Sequence, residues 1–354
     1  MEHFDLANLA VQSLAPNNVY LYDDVGLPSL MVRIPKFYLD EVIDGAPHTP
    51  HPAFIVQDTE IPEIYVSKYQ NMVYNNRAYS LPGITPKTVF KPIEAYSYAE
   101  NKGTGWHVMT NAEWSAIALW CVKNSTLPHG NSDNGKSYRF PHEHGMLVNP
   151  TAYTKHTLTG TGPVTWSHDH TIAGIYDLNG NYADFVAGIY HKRGIIYVMP
   201  NNDAALGAQI DKTISSDMWH MIDGDGSLIK TGGNPWRYRR SSSADYHMML
   251  SVNHSYDEGP AQSAFSEIVV SSGLTVPDIF KNLALYPANP KEDYGDLDGE
   301  AYIYIVDSTP TYFTRGGTAS GKNKCGIFNI GTGSKDDNVA MSNTTAFRAA
   351  YINI

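Results

Sequence analysis

Two pairs of histidines are the first residues here that could do chemistry. His142-Glu143-His144 and His168-Asp169-His170 each set two imidazoles two positions apart, as neighbours on one face of a strand would be. Zinc needs three or four ligands at recognisable spacing, and the 354-residue sequence has no HExxH and no paired CxxC. Surface loop histidines are therefore the expectation, with no metal. Asp223 with Asp225, and Asp296 with Asp298, lie in glycine-containing stretches that could hold calcium. Asp-Gly is also ordinary turn chemistry, and turns are expected. The sequence has no GxSxG, no GxxxxGK(S/T) and no GxGxxG after a strand, so these give no nucleophile elbow, phosphate loop or dinucleotide site. Its two cysteines, Cys121 and Cys325, are too few and too far apart for a disulfide framework. Cys121 follows Leu119-Trp120 in a helical pattern and reads as a small buried hydrophobe.

The last forty residues, Arg315 to Ile354, form a different kind of site. Arg315-Gly316-Gly317 opens them and Ala346-Phe347-Arg348-Ala349-Ala350-Tyr351 closes them. Between lies a run of Thr, Ser, Gly, Asn, Lys and Asp, broken by Cys325-Gly326-Ile327-Phe328. An apolar ending predicts a strand pinned into a core with a small-residue polar surface before it.

Several elements must hold these residues. Thr110-Asn111-Ala112-Glu113 is a capping box, in which hydroxyl and carboxylate each satisfy an orphan helix N–H. Trp114, Ile117, Ala118 and Cys121 follow at helical spacing. Glycines lead into a strand ending at Met109. Residues 63–69, 182–186, 194–199 and 301–306 read as strands, and 31–40 as strands around an edge proline. Asn179-Gly180-Asn181 is a tight-turn signal. Residues 122–170 read as loop. A short amphipathic helix is predicted over 4–15 (Phe4, Leu6, Leu9, Ala10, Leu14). It is either an attachment or oligomerisation element or the domain's first helix. No repeat or linker divides the chain, so the expectation is an N-terminal segment, 1–30, and one irregular α+β domain, 31–354, ending in the distinct region 315–354.

Composition narrows the function. With 42% hydrophobic and 17% charged residues the chain is globular, and 24 Tyr, 29 Gly and 21 Pro favour short strands and turns. A net charge of −11, with Trp236-Arg237-Tyr238-Arg239-Arg240 the densest basic run, argues against a nucleic-acid partner. No window approaches the roughly 18 apolar residues of a membrane span. The N-terminus has no basic segment before an apolar run, so no signal peptide is expected, and the chain is expected to fold in a reducing cytoplasm.

Four motifs carry a resemblance. Gly105-Trp106-His107-Val108-Met109-Thr110-Asn111-Ala112-Glu113-Trp114 resembles the W-R-L-P-T-E-A-E-W signature of the formylglycine-generating-enzyme (sulfatase-modifying factor) type of C-type lectin fold. Gly174-Ile175-Tyr176-Asp177-Leu178-Asn179-Gly180-Asn181 is similar to that family's G-L-x-D-M-x-G-N. Arg315-Gly316-Gly317 and Phe347-Arg348 resemble its R-G-G and terminal G-F-R. The enzymes of that family bind copper with two cysteines near the C-terminus. Cys325 stands alone there, which argues against oxidase activity. Tyr182-Ala183-Asp184-Phe185 replaces the family's V-W-E-W, which weakens any ligand role carried over to Asp184.

The ending Phe347-Arg348-Ala349-Ala350-Tyr351 further resembles that of diversity-generating-retroelement variable proteins, the phage major tropism determinants among them. There, adenines of Asn codons are mutated, which reaches Thr, Ser, Gly, Asp, Ala, Cys and Ile but not Lys, Glu, Gln, Met or Trp. The resemblance implies a variable ligand-binding surface of Thr318, Ser320, Gly321, Asn323, Cys325, Asn329, Gly331, Gly333, Asp336, Asp337 and Asn338. Lys322, Lys324, Lys335 and Met341 are then fixed or differently encoded. The implied protein is a non-catalytic adhesin without cofactor that binds a bacterial cell-surface protein or glycan. It would sit on a phage tail, with the bacterial cell surface as the alternative location and a homotrimer as the tail-fibre precedent. The alternatives are a formylglycine-generating-type oxidase and an inert structural tail component.

Overall fold

Short apolar runs between turn residues make strands here, and the strands collect into two main sheets with few helices, an α+β arrangement. The computed structural model describes residues 6–242, 246–253, 259–288, 300–305 (backbone only) and 309–354. In chain order the elements used below are α1 (Leu6–Leu14), β1 (Asn18–Tyr22), β2 (Pro28–Pro35), β3 (Glu63–Ser67), α2 (Pro92–Glu100), β4 (Trp106–Val108), α3 (Asn111–Lys123), β5 (Ala183–Lys192), β6 (Ile195–Val198), β7 (Arg237–Arg240), β8 (Met248–Ser251), β9 (Gly259–Ala264), β10 (Glu300–Ile305), β11 (Thr311–Gly316), β12 (Gly326–Thr332), β13 (Thr345–Phe347) and β14 (Ala349–Tyr351).

The smaller sheet runs β1-β2-β3-β14-β4. β2 is therefore an inner strand rather than an edge, and Pro35 ends it, where no further ladder bond is needed. Residue 31, the expected domain boundary, falls inside β2, whose partner β1 begins at Asn18. The larger sheet runs β9-β10-β12-β11-β5-β6-β7-β8, with β13 parallel to β5. The predicted strand 301–306 is β10 as far as Ile305; Val306 lies outside the described residues, as do Phe4 of the predicted first helix and both Asp296 and Asp298.

The last residues stitch the two sheets together. β13 pairs with β5 of the larger sheet, and β14 then enters the smaller sheet between β3 and β4. Arg348, fully buried, sits at the crossing. Its guanidinium donates to Asp184 Oδ1 at 3.1 Å, to the Asp177 carbonyl at 2.9 Å and to the Lys68 carbonyl at 3.3 Å. Asp184 is thus the partner of a buried arginine. Burial pushes its carboxyl up and the guanidinium pulls it back down.

Phe347 is fully buried, with its ring edge-on to Phe90 at 5.0 Å between centroids. α3 forms where the capping box predicts it. Thr110 Oγ1 accepts from Glu113 N at 3.1 Å, and Glu113 Oε2 accepts from Thr110 N at 2.9 Å. The helix is buried nearly all round, so packing rather than one apolar stripe holds it.

Asn179-Gly180-Asn181 does not close a hairpin. It is a buried turn whose Asn181 side chain accepts from Thr157 N at 2.9 Å and donates to Thr157 O at 3.1 Å. Val122 and Lys123 still belong to α3, and residues 124–170 hold only isolated bridges and a short 3-10 turn at Val164–Trp166, as a loop reading requires. No helix among the described residues is long and apolar enough to cross a membrane.

Candidate functional site

β11 and β12 are antiparallel neighbours, with Thr314 opposite Gly331 and a register shift after Arg315. Gly316 and Gly317 make that shift possible. Both have φ near +80°, and a Cβ would meet the Leu178 carbonyl at 2.9 Å from Gly316 or Cys325 Cα at 2.9 Å from Gly317. The chain then loops through 317–325 and returns as β12. A cleft of about 310 Å³ opens between this loop, the two strands and the segment before β13. Thr314, Gly317, Thr318, Gly321, Lys324, Cys325, Asn329, Gly331, Thr332, Ser342, Thr344, Thr345 and Ala183 line it.

The loop is held from behind by backbone bonds, independent of side-chain identity. Ala319 N donates to Asn181 O at 2.9 Å, Asn134 N to Ala319 O at 2.6 Å and Lys322 N to Ser132 O at 2.8 Å. Inside it, Cys325 Sγ donates to Thr318 O at 3.0 Å, and Asn329 Nδ2 to Lys324 O at 3.0 Å. The cleft floor is pinned by Trp114 Nε1, which donates to Ile327 O at 2.7 Å. Below it Arg315 is fully buried and donates Nη2 to the Ala284 carbonyl at 3.0 Å. Burial lowers the Arg315 pKa to about 10, so it stays charged at neutral pH. Hydroxyls form the opposite wall, where Ser342 Oγ lies 2.8 Å from Thr344 Oγ1 and 3.1 Å from Thr345 Oγ1.

Of the expected surface residues, Thr318, Gly321, Cys325, Asn329 and Gly331 meet in this cleft. Ser320 and Asn323 are exposed on the loop beside it. The others lie on the segment after β12. Asp336 and Asn338 are exposed there, and Asp336 Oδ1 accepts from Asn338 N at 2.9 Å. Asp337 turns away from the cleft, accepting from Tyr312 OH at 2.5 Å and Ile214 N at 3.0 Å.

Two corrections follow for the expectation that all these side chains exchange freely. Cys325 and Asn329 are buried, so they wall the cleft rather than project from it. A Cβ on Gly321 would meet Cys325 Sγ at 2.5 Å, on Gly331 Thr314 Oγ1 at 2.7 Å, and on Gly333 Met341 Sδ at 2.9 Å. Gly321 and Gly331 are crowded against short buried side chains, while the Met341 thioether can give way before Gly333. Thr314, Thr332 and the hydroxyl wall Ser342–Thr345 were not singled out from sequence. The wall's signal was the same Ser/Thr enrichment, continuing past Asn338, while Thr314 lies just before the region and Thr332 within it.

The lining can donate and accept hydrogen bonds through hydroxyls, one amide and backbone. Among the described residues that line it, the titratable side chains are Lys324 and Cys325, and none is a carboxylate or imidazole that could act as a base beside the thiol. Cys121 lies apart from this site, donating its Sγ to the His168 carbonyl at 3.2 Å. His168 Nδ1 accepts from Ile175 N at 2.8 Å, and His170 Nε2 bonds the Leu127 carbonyl at 3.0 Å, so this pair is taken up by loop backbone. His142 and His144 flank Glu143, whose carboxylate holds His129 at 2.9 Å and Trp166 Nε1 at 3.0 Å. Asp223 and Asp225 accept from Asn234 N at 2.6 Å and Ser227 N at 2.9 Å, as turn residues do. Among the described residues no cluster of three or more His, Cys, Asp or Glu could hold a metal.

A smaller hollow of about 140 Å³, lined by Phe37, Ile117, Trp120 and His168, lies at the end of β2. Its walls come from scattered segments, whereas the larger cleft is built almost wholly from residues after 313. No known family model matches this chain, and no curated protein matches it.

Proposed function

We propose that the chain is a non-catalytic ligand-binding protein of the diversity-generating-retroelement variable type, on a C-type lectin fold of the formylglycine-generating-enzyme type. Its binding surface is the cleft of Thr318, Gly321, Cys325, Asn329 and Gly331 with the flanking Ser320 and Asn323. One observation carries this reading. The backbone of the 317–325 loop is fixed by bonds to Asn181, Asn134 and Ser132, while Ser320 and Asn323 point to solvent. At Ser320 and Asn323 such a surface tolerates new side chains, because the loop's backbone bonds do not depend on theirs. Small polar residues suit adaptable recognition, as in antibody loops. The ligand is a protein or glycan on a bacterial surface, and the protein is carried on a phage tail.

The test is genomic. The coding region for 315–354 is compared with neighbouring DNA for an imperfect repeat and a reverse-transcriptase gene. Differences confined to adenines of the repeat, falling on the codons of Thr318, Ser320 and Asn323, are the expected result. A neighbourhood without such a repeat would leave the inert structural role in its place.

A further inference from the structure

β2, α3 and the loop 168–173 border the hollow of about 140 Å³. β2 and the residues after it supply Val32, Ile34, Pro35 and Phe37, and α3 supplies Ile117 and Trp120. An apolar cavity of about 150 Å³ holds a benzene ring, so these walls leave room for one six-membered ring. His168 and Asp169 add polar atoms to them. His168 is only 6% exposed. Its Nδ1 accepts from Ile175 N at 2.8 Å, since a backbone N–H can only donate. Burial lowers the ring's pKa to about 4, so the ring is neutral and its one proton sits on Nε2. The backbone of His168 is taken as well, its N–H by Ile175 O at 3.0 Å and its carbonyl by Cys121 Sγ at 3.2 Å. Nε2–H has no acceptor among the described residues, which leaves the hollow one donor from a buried side chain. Asp169 brings an acceptor. Its Oδ1 accepts from Ser167 Oγ at 3.1 Å and Thr171 N at 2.9 Å, whereas among the described residues Oδ2 accepts from Thr171 Oγ1 alone, at 3.0 Å. The cations nearby are engaged elsewhere. Arg33 Nε donates to Glu63 at 2.5 Å, and Lys68 Nζ donates to Asn18 Oδ1 and Ile172 O, both at 2.5 Å.

We propose that this hollow is a second binding site, for a small neutral phenol. The ring lies against Trp120, Phe37 and Ile34, and the hydroxyl accepts from His168 Nε2 and donates to Asp169 Oδ2. A hydroxyl is both a donor and an acceptor, which matches the one donor and one acceptor that the walls leave open. A plain hydrocarbon ring would leave the buried Nε2–H unsatisfied. An aryl ether could accept from His168 but has no proton for Asp169. An anionic ring such as benzoate would set its charge against the Asp169 carboxylate. The inference is independent of the reading given to the cleft.

Isothermal titration calorimetry of the full chain with phenol tests it. One saturable site is expected. Anisole, which accepts but cannot donate, should bind at least tenfold more weakly, and benzoate more weakly still. Ala173→Leu, at a half-buried position lining the hollow, should fill it, lose the phenol signal and melt as the wild type does. His168→Asn keeps an acceptor for Ile175 N and removes the Nε2 donor, so phenol and anisole should both weaken at least tenfold. A wild type without saturable phenol binding would overturn the proposal. So would benzoate bound as tightly as phenol, or phenol binding unchanged in both Ala173→Leu and His168→Asn.

Discussion

Asp177→Asn should make the protein relatively more stable as pH rises. Asp177 is buried behind the crossing strands and has φ +61°, a backbone state that Asn adopts at least as readily as Asp. Its Oδ2 accepts from Gly160 N at 2.9 Å, a bond an amide oxygen keeps. Its Oδ1 is buried without a hydrogen-bond partner among the described residues. Burial lifts the carboxyl from its ordinary 3.8 to about 6, with the nearby Asp184 charge adding to the rise and Arg348 opposing it. A folded-state pKa above the unfolded one favours folding only while the group is protonated. That contribution is full below about 3.8 and is lost as pH rises through about 6. At 1.36 kcal/mol per pKa unit, the ionised carboxylate costs about 3 kcal/mol at high pH, and about 1.5 kcal/mol of this develops between pH 5 and pH 8. Asn removes the pH-dependent part, while any cost of its amide N–H₂ is the same at both pH values. Urea unfolding of both proteins at pH 5 and pH 8 is the assay. The stability difference, Asn minus Asp, should grow by about 1.5 kcal/mol between them. A difference equal at both pH values would refute the buried, hard-to-ionise Asp177.

The remaining expectations use the same measurement. Phe347→Ala should cost about 3–5 kcal/mol, because the ring is fully buried against Phe90. Ser320→Ala and Asn323→Ala should stay within about 0.5 kcal/mol, as exposed sites do. Gly331→Ala should cost about 1–3 kcal/mol from the close approach to Thr314 Oγ1, and Thr314→Ala should recover much of it. His191 is fully buried with neither ring nitrogen partnered among the described residues, and burial lowers its pKa to about 3. Its unfolded form binds a proton below about 6.5, so stability falls as pH drops through that window. His191→Leu should remove about 2 kcal/mol of the loss between pH 7 and pH 5, read from urea curves at both.

What could be read in the sequence was local chemistry. The Thr110–Glu113 box names its own partners three residues away, and it caps α3 as written. The apolar ending 346–351 marks strand, and β13 and β14 occupy it. The partners of those strands were not legible. Arg348 and Asp184 are 164 positions apart, and no spacing rule joins them. Asn179-Gly180-Asn181 is a turn, as its residue types predict, but what the turn packs on was not legible: Asn181 is claimed by Thr157 in the long loop. In the cleft, residue type could not separate walls from surface. Asn329 and Asn323 read alike, yet one is buried under the loop and the other faces solvent.

The central claim is that ligand choice resides in the loop side chains around this cleft while the fold does not depend on them. Binding of fluorescently labelled protein to a panel of bacterial strains, scored by flow cytometry beside a thermal melt of each sample, tests it most directly. The account expects a triple variant, Thr318→Tyr with Ser320→Tyr and Asn323→Ser, to lose or exchange its strains while melting as the wild type does. A triple variant that melts normally and stains the same strains to the same extent would contradict it.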